Sequence, residues 1–402
     1  MKRIMSKPCV ILFNSLLLPP SQTFIRALGE QLQVFSPCYA GSRQVEGLKL
    51  PEERTLVVNH GGFQGKVEEG LFKFSGFAPK FTKQVQQLNP ALIHAQFGLS
   101  GVLALPLAKS LKLPLIVHFR GADATIKEEH ARYSSVNHWI YYRRRERLKR
   151  EAKLFITVSK FIKDKLLEQG FPSEKIISLY SGINTEIFQP NPAVEREPVV
   201  LFVGRLTEKK GCEYLIEAMA RVQSVLPDVQ LVIIGDGPLR TNLEAKAANL
   251  LKRYQFLGLQ PPDVVKSWMN RARLFAAPSV TAVGGDSEGL PNVVLEAQSM
   301  GLPVISTTHA GIPEGVIHGE TGFLAPERDS ETLAEYALQL LKDPETWQLF
   351  SHKGPEHVQA NFNRAKQTQV LEGIYQTIVQ EEMVFPSNKI SSLRFHLSGG
   401  TP

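Results

Sequence analysis

Two glutamates, Glu288 and Glu296, are separated by seven residues and bracket the turn Gly289-Leu290-Pro291-Asn292. The apolar run that starts at Val293 reads as a helix, which puts Glu288 in the loop before it and Glu296 about one turn inside. Backbone amides at a helix start have no partner within the helix, so they suit an anion such as a diphosphate. A carboxylate one turn further in is placed to accept hydrogen bonds from sugar hydroxyls. Upstream, Arg205 and Lys210 lie in Gly204-Arg205-Leu206-Thr207-Glu208-Lys209-Lys210-Gly211. Arg offers a planar fork of donors and Lys a mobile point charge, and the pair can neutralise a leaving group whose negative charge grows during reaction. The plainer alternative is that Glu288 complements a helix dipole while Glu296, Arg205 and Lys210 are solvated surface.

Positioning these groups requires strands. The apolar run 199–203 ends where the Arg205 loop begins, and a helix follows near Cys212. That order sets both cations at the carboxyl end of a parallel sheet, where open α/β folds bind ligands. Similar candidate strands occur near 229–234, 254–257, 273–277 and 303–306, and in the first half near 10–14, 55–59, 91–94, 114–118, 153–158 and 176–179. Helical stretches such as 101–111 and 159–169 alternate with them, so each half reads as a doubly wound, parallel-sheet α/β domain. The Pro-rich stretch 188–198 reads as the connection, with the linker proper at 191–198. The expected domains are 1–190 and 199–364, with a helix over about 365–383 and a disordered tail from 385 to 402. Two such domains leave a cleft between them, with room for one ligand on each wall.

The motifs G-R-L-T-E-K-K-G, I-I-G-D-G-P-L (233–239), A-P-S (277–279), the two-glutamate segment and M-G-L-P-V-I-S-T-T-H-A-G-I-P-E (300–314) occur in one order. They are preceded by P-S-Q-T-F-I (20–25), P-L-I-V-H-F-R-G-A-D (114–123), T-V-S-K-F-I (157–162) and Y-S-G-I-N-T-E-I-F (180–188). The series resembles the retaining, nucleotide-sugar-dependent glycosyltransferases of family 4, which have the GT-B fold, and among them the bacterial enzymes of exopolysaccharide and surface-polysaccharide assembly. The resemblance implies a UDP- or GDP-linked sugar as donor, a saccharide or lipid-linked saccharide as acceptor, and no metal. It also implies that the helix near 365–383 returns to the first domain.

By the same resemblance, Gly204, Arg205, Lys210, Gly235, Gly237, Glu288, Gly289, Leu290, Pro291, Asn292 and Glu296 form the donor site, with Glu296 on the ribose. Glu288, Arg205, Lys210 and His118 carry the chemistry. Retention is expected through front-face attack, the departing diphosphate itself taking the acceptor's proton. Gln22, Thr23, Arg120 and Asp123 face the acceptor. In many relatives a histidine stands where Arg120 does here, with His118 two positions earlier, and another often stands at Gln96. Those departures point to an altered acceptor preference or to impaired catalysis. A nucleotide-sugar epimerase of the same fold and a sugar-nucleotide-binding protein without activity are the alternatives; a nicotinamide-binding reading is disfavoured because Gly235-Asp236-Gly237 is not completed at Thr241 and Asn242.

The 402 residues are 43% hydrophobic and 21% charged, ordinary for a globular chain of this size. Charge is uneven. Residues 1–190 carry 27 Lys+Arg against 15 Asp+Glu, and the remainder 19 against 24, so the first half is at +12 and the second at −5. Much of the excess lies at 138–150, where His138-Trp139-Ile140-Tyr141-Tyr142 precedes six basic residues. This segment reads either as a solvated helix face or as contact with an anionic membrane surface or lipid-linked acceptor. No stacking platform or helix-turn-helix pattern accompanies it, so nucleic acid is not an expected partner. Cys9, Cys38 and Cys212 have no disulfide or zinc spacing. That cysteine usage fits a reducing cytoplasm, and with no run of ~20 apolar residues to span a membrane, a cytoplasmic protein, peripheral at the inner face of the plasma membrane, is the expectation.

Overall fold

The computed structural model describes residues 7–19 and 22–384; the expected 385–402 tail lies outside the described residues. Two all-parallel sheets carry the fold. The first contains β1 (Cys9–Phe13), β2 (Leu16–Leu17), β3 (Ser36–Gln44), β4 (Thr55–Asn59), β5 (Pro90–Gln96), β6 (Leu115–Phe119), β7 (Leu154–Thr157) and β8 (Ile176–Ser178), in the order β2-β3-β1-β5-β6-β7-β8 with β4 also on β3. The second contains β9 (Glu197–Val203), β10 (Gln230–Ile234), β11 (Tyr254–Gly258), β12 (Ala272–Ala277), β13 (Val304–Thr307) and β14 (Gly322–Ala325), in the order β11-β10-β9-β12-β13-β14. Each order reverses around its first strand, so chain connections diverge there and open a crevice at the carboxyl ends.

The strands are apolar on both faces because helices cover both. In the first domain, Ile11, Phe13, Ile93, Val117 and Phe155 pack one face, and Val10, Leu12, Leu92, Ile116 and Ile156 the other. That second face is closed by the helix Arg364–Val384, through Leu371, Ile374, Tyr375 and Ile378. Glu372 fixes the helix there by accepting from the backbone N–H groups of Val34 and Phe35 at 2.7 and 3.1 Å. The second sheet repeats the scheme, with Val200, Phe202 and Ile233 on one side and Val199, Leu201 and Val232 on the other.

Strands β2, β3 and β14 have no counterpart among the sequence expectations. β3, S-P-C-Y-A-G-S-R-Q, has a proline, a glycine and polar ends, and pairing with β1 and β4 on both sides makes it a strand. β14 is four residues long and pairs only with β13 among the described strands. The connecting stretch is not slack. Arg196 donates to the carbonyls of Met269, Ala272 and Met300 at 2.8–2.9 Å, which clamps its end to the second domain.

Candidate active site

The crevice of the second domain is built where β9 and β10 end. A Cβ at Gly235, whose φ is +137°, would run into the Gly204 carbonyl oxygen, so only glycine lets the two loops lie against each other. The loop after β9 closes with a single 3-10 turn, Glu208–Lys210, before the helix Cys212–Val225. That turn directs both lysines at the 286–288 segment. The Lys210 ammonium lies 3.1 Å from Glu288 Oε1, and Lys209 lies 3.0 Å from Asp286 and 3.9 Å from Glu288. Glu288 is buried, and burial alone would raise its pKa; Lys210 and then Lys209 outweigh that and hold the carboxyl below its ordinary range. Arg205 is exposed on the rim of the same loop and makes no ion pair among the described residues.

The segment behind Glu288 is fixed by a relay that the sequence reading did not single out. The Glu288 N–H donates to His309 Nε2 at 3.1 Å, and His309 Nδ1 lies 2.6 Å from Glu327 Oε1. Because Nε2 is the acceptor, the ring proton sits on Nδ1 and is given to Glu327. Glu327 is itself held by Thr281, through its N–H at 2.8 Å and its hydroxyl at 3.0 Å. His309 lies inside the quoted T-T-H-A-G-I-P-E motif, which is the one sequence signal for it.

Beyond Glu288 the turn delivers the helix Asn292–Ser299 with no side-chain cap, Pro291 being the residue before it. The N–H groups of Gly289 and Leu290 find no hydrogen-bond acceptor among the described residues. Glu296, one turn inside, is half-buried; burial raises its pKa to about 7 against a weaker opposing effect of Arg364. The loop 288–291 therefore presents two free amides and the Glu288 carboxyl beside the Lys209 and Lys210 ammonium groups of the loop after β9, with Glu296 one turn further along the helix.

The facing wall comes from the first domain. Arg120, just past β6, donates from Nε and Nη2 to Gln96 Oε1 at 3.2 and 2.8 Å and from Nη1 to Ser181 at 2.9 Å. Its Nη2 is 3.3 Å from His118 Nδ1, and its guanidinium lies 4.5 Å from the centre of the Phe24 ring. Burial lowers Arg120 to about 9, with Asp123 and Tyr375 acting the other way. His118 stacks on His94 at 5.4 Å, and His94 Nδ1 meets the Tyr375 hydroxyl at 2.5 Å. Burial, followed by Arg120, pushes His94 to about 3 and His118 well below its ordinary value, so both rings are neutral. Asp123 ties the loop together by accepting from the N–H groups of Gly98, Arg120 and Gly121 at 2.9–3.1 Å. Gln22 accepts from Asn14 at 2.6 Å, and Thr23 is exposed at the start of its helix.

The two walls touch. Ser287 N–H donates to Thr125 Oγ1 at 3.1 Å, and Lys127 N–H to the Gly284 carbonyl at 3.0 Å. A side chain at Gly289 would collide with the Arg120 carbonyl and with Val158. On the other flank, Glu314 accepts from Lys160 N–H, Phe161 N–H and the Tyr180 hydroxyl at 2.8–2.9 Å, capping the first-domain helix Lys160–Glu168 across the cleft.

Family models match both halves, "Glycosyltransferase Family 4" over residues 23–187 and "Glycosyl transferases group 1" over 197–343. The putative colanic acid biosynthesis glycosyltransferase WcaL of Salmonella typhimurium is 31% identical over 297 residues, 71% of this chain and 70% of the relative. The chain belongs to glycosyltransferase family 4. The amylovoran biosynthesis glycosyltransferase AmsK of Erwinia amylovora is 35% identical to this family 4 chain over 258 residues, 62% of it and 60% of the relative. The matches thus span about 60–70% of these curated relatives. Among solved structures, Anabaena Alr3699/HepE in complex with UDP superposes with a TM-score of 0.74 at 21% identity, covering 92% of this chain and 100% of that one. The two facing parallel-sheet domains are the GT-B fold. The transferase names of these relatives lend no support to the epimerase alternative.

Proposed function

We propose that this family 4 protein transfers a hexosyl unit from a UDP- or GDP-linked donor to a saccharide or lipid-linked saccharide in bacterial polysaccharide assembly. The observation that carries the reading is the second-domain wall: two lysines, a carboxylate held ionised between them, and the unpartnered amides of Gly289 and Leu290 at an uncapped helix start. Such a wall binds a pyrophosphate. Lys210, with Arg205 from the rim, takes the charge that builds on the departing diphosphate, and no metal ion is needed for that role. Gly204, Gly235 and Gly237 bring the loop backbones close enough to line the site. Glu296 accepts hydrogen bonds from the nucleotide ribose.

Glu288 is the group beside the anomeric carbon. Its negative charge, maintained by Lys210 and Lys209, offsets positive charge that develops on the sugar as the bond to the diphosphate lengthens. His118 and Arg120, on the first-domain wall, border the acceptor together with Gln22, Thr23 and Asp123. A neutral His118 is suited to hydrogen bonding and not to charge stabilisation. The acceptor hydroxyl attacks from the face the diphosphate leaves, its proton passes to a diphosphate oxygen, and the anomeric configuration is retained.

UDP, GDP and ADP titrations by calorimetry test the binding half of this reading, and a nucleotide-sugar panel with acceptor saccharides tests the transfer half. Binding of one nucleoside diphosphate that is lost in Lys210→Ala is expected; silence towards all three would overturn the assignment. The anomeric proton coupling of the product, read by NMR, separates retention from inversion. Contact with an anionic membrane surface on the side of 138–150 completes the proposal. No helix among the described residues is long and apolar enough to cross a membrane.

A further inference from the structure

Cys9 and Cys38 are 29 positions apart, and the parallel pairing of β1 with β3 brings them into contact. Cys9 opens β1 opposite Ser36, and Cys38 lies opposite Ile11 two rungs further on. Both side chains point to the face of the first sheet that also holds Ile11, Phe13 and Ala40. Their sulfurs are 3.2 Å apart, closer than the about 3.5–4.0 Å at which even the smaller carbon atoms rest against each other. The third thiol, Cys212, lies in the second domain and has no other thiol to meet.

The two thiols are not equivalent. Cys9 Sγ–H donates to Cys38 Sγ. That hydrogen bond, with the Arg54 guanidinium behind it, lowers Cys38 below its ordinary value although burial opposes the shift, whereas the same bond and burial raise Cys9. One sulfur thus gains thiolate character while its neighbour keeps the proton, the division of labour between an attacking and a resolving thiol. Burial raises Cys212, so its thiol stays protonated and inert. Buried cysteines often serve as small apolar fillers. Packing alone, however, requires neither touching sulfurs nor unequal ones. Cys9 and Cys38 also keep some solvent contact, 9 and 6% against 2% for Cys212, at the amino ends of their strands and away from the cleft.

We infer that Cys9 and Cys38 form a dithiol that hydrogen peroxide converts to a reversible disulfide. The Cys38 thiolate attacks one peroxide oxygen, the O–O bond breaks, and hydroxide leaves while Cys38 becomes a sulfenic acid. The Cys9 sulfur then attacks the Cys38 sulfur, the S–O bond breaks, and the Cys9 proton departs with the hydroxyl group as water. With the proton that Cys38 had lost, the first hydroxide also ends as water: two thiols are oxidised to one disulfide and one peroxide is reduced to two waters. Bond formation draws the sulfurs together by about 1.2 Å. It ties the amino ends of β1 and β3 around β2 and the helix Thr23–Glu30, the segment that carries Gln22, Thr23 and Phe24 to the first-domain wall. In a reducing compartment such a bond is transient and reports oxidant, and cellular thiols reverse it. The inference is independent of the transferase reading.

Peptide mapping by mass spectrometry tests it, on folded full-length protein reduced, exposed to hydrogen peroxide and then alkylated. A Cys9–Cys38 cross-linked peptide is expected, forming about tenfold or more faster than any oxidation of Cys212 and removed by dithiothreitol. Closing a loop of this length should raise the unfolding midpoint of the oxidised protein by about 5–10 °C, and Cys9→Ala and Cys38→Ala should each abolish that rise. In Cys9→Ala the Cys38 sulfenic acid has no resolving partner and should be trapped by dimedone; Cys38→Ala should give no such adduct at Cys9. Cys212→Ser should oxidise as the wild type does. The wild-type map needs no variant, so it decides the matter even where a substitution impairs folding. Three results would overturn the inference: both thiols still free under peroxide that oxidises free glutathione, Cys212 oxidised as fast as the pair, or Cys38 carried to the sulfinic acid with Cys9 left reduced. Failure to bind any nucleoside diphosphate would sink the transferase reading and leave this one standing.

Discussion

The two walls of the cleft solve opposite electrostatic problems. On the second-domain wall, charges are paired across short loops and stay charged: Lys209 and Lys210 keep Glu288 ionised although it is buried. On the first-domain wall, burial wins, and His94 and His118 are neutral rings stacked on each other beside a guanidinium that spends three of its nitrogens on Gln96 and Ser181. One wall is poised to meet a multiply charged ligand; the other is a hydrogen-bonded scaffold with little charge to offer. In the proposed function, that difference gives pyrophosphate chemistry to the second domain and orientation to the first.

The sharpest way to break that comparison is to remove charge from the second wall. Lys210→Ala and Glu288→Gln are each expected to lower kcat a hundredfold or more, on the order of 2–4 kcal/mol of transition-state stabilisation, in a steady-state transfer assay. Glu288→Gln should leave nucleoside-diphosphate affinity within a few-fold, whereas Lys210→Ala should weaken it as well. The relay behind the loop comes next. His309→Ala removes the acceptor of the Glu288 N–H and leaves Glu327 without its ring partner, so a loss of about tenfold in kcat is expected, smaller than deleting Glu288 itself. His309→Gln, which can still accept that N–H, should recover part of it.

On the first wall the expectation inverts. Arg120→Met leaves Gln96 and Ser181 short of a donor and should lower stability by about 1–3 kcal/mol, read as an earlier unfolding midpoint. The turnover of folded enzyme should change less than for Lys210→Ala. A catalytic loss equal to that of Lys210→Ala, with an unchanged melting temperature, would move Arg120 into the chemistry and erase the contrast between the walls.

The same contrast explains what the sequence made legible. The second wall is written in contiguous stretches: a strand, a loop and a helix place Arg205 and Lys210, and one turn places Glu288 and Glu296, so local pattern is enough. Lys209 and Lys210 are neighbours in one loop, and adjacency in sequence does not say that both ammonium groups reach the same carboxylate. His309 and Glu327 sit on separate loops after β13 and β14, and β14 opens on a glycine and holds only two large apolar residues, Phe323 and Leu324, so it lacks the β-branched apolar run that marks a buried strand. On the first wall, His118, Arg120 and Asp123 share one motif, but most of the partners that fix them are remote. His94 and Tyr375 are 281 positions apart and meet only because the last helix crosses back to the first sheet. Gln96 and His118 share a register between β5 and β6, which no single segment announces. β3 escaped for a related reason, since its polar, Pro-containing sequence is a strand only by virtue of its neighbours.

Glu296 tests the finest point, because it is the one acidic group on the charged wall that burial has overtaken. Its pKa rises from 4.5 to about 7, so the folded state resists ionising it. Below the ordinary value both folded and unfolded chains hold the proton and nothing is lost. Between 4.5 and about 7 the unfolded chain releases it first, and the destabilisation grows; above about 7 it is complete. Glu296→Gln should therefore match wild type in denaturant melts near pH 4 and exceed it by about 1–2 kcal/mol near pH 8, a figure discounted because the carboxyl is half-buried. Donor affinity should run the other way. A ribose hydroxyl is a better donor to a carboxylate than to a carboxylic acid, so wild-type nucleotide affinity should strengthen up to about tenfold as pH rises through 7, and the glutamine variant should be flat. Equal pH profiles for the two proteins would remove Glu296 from the nucleotide and leave Lys210 and the turn amides to hold it alone.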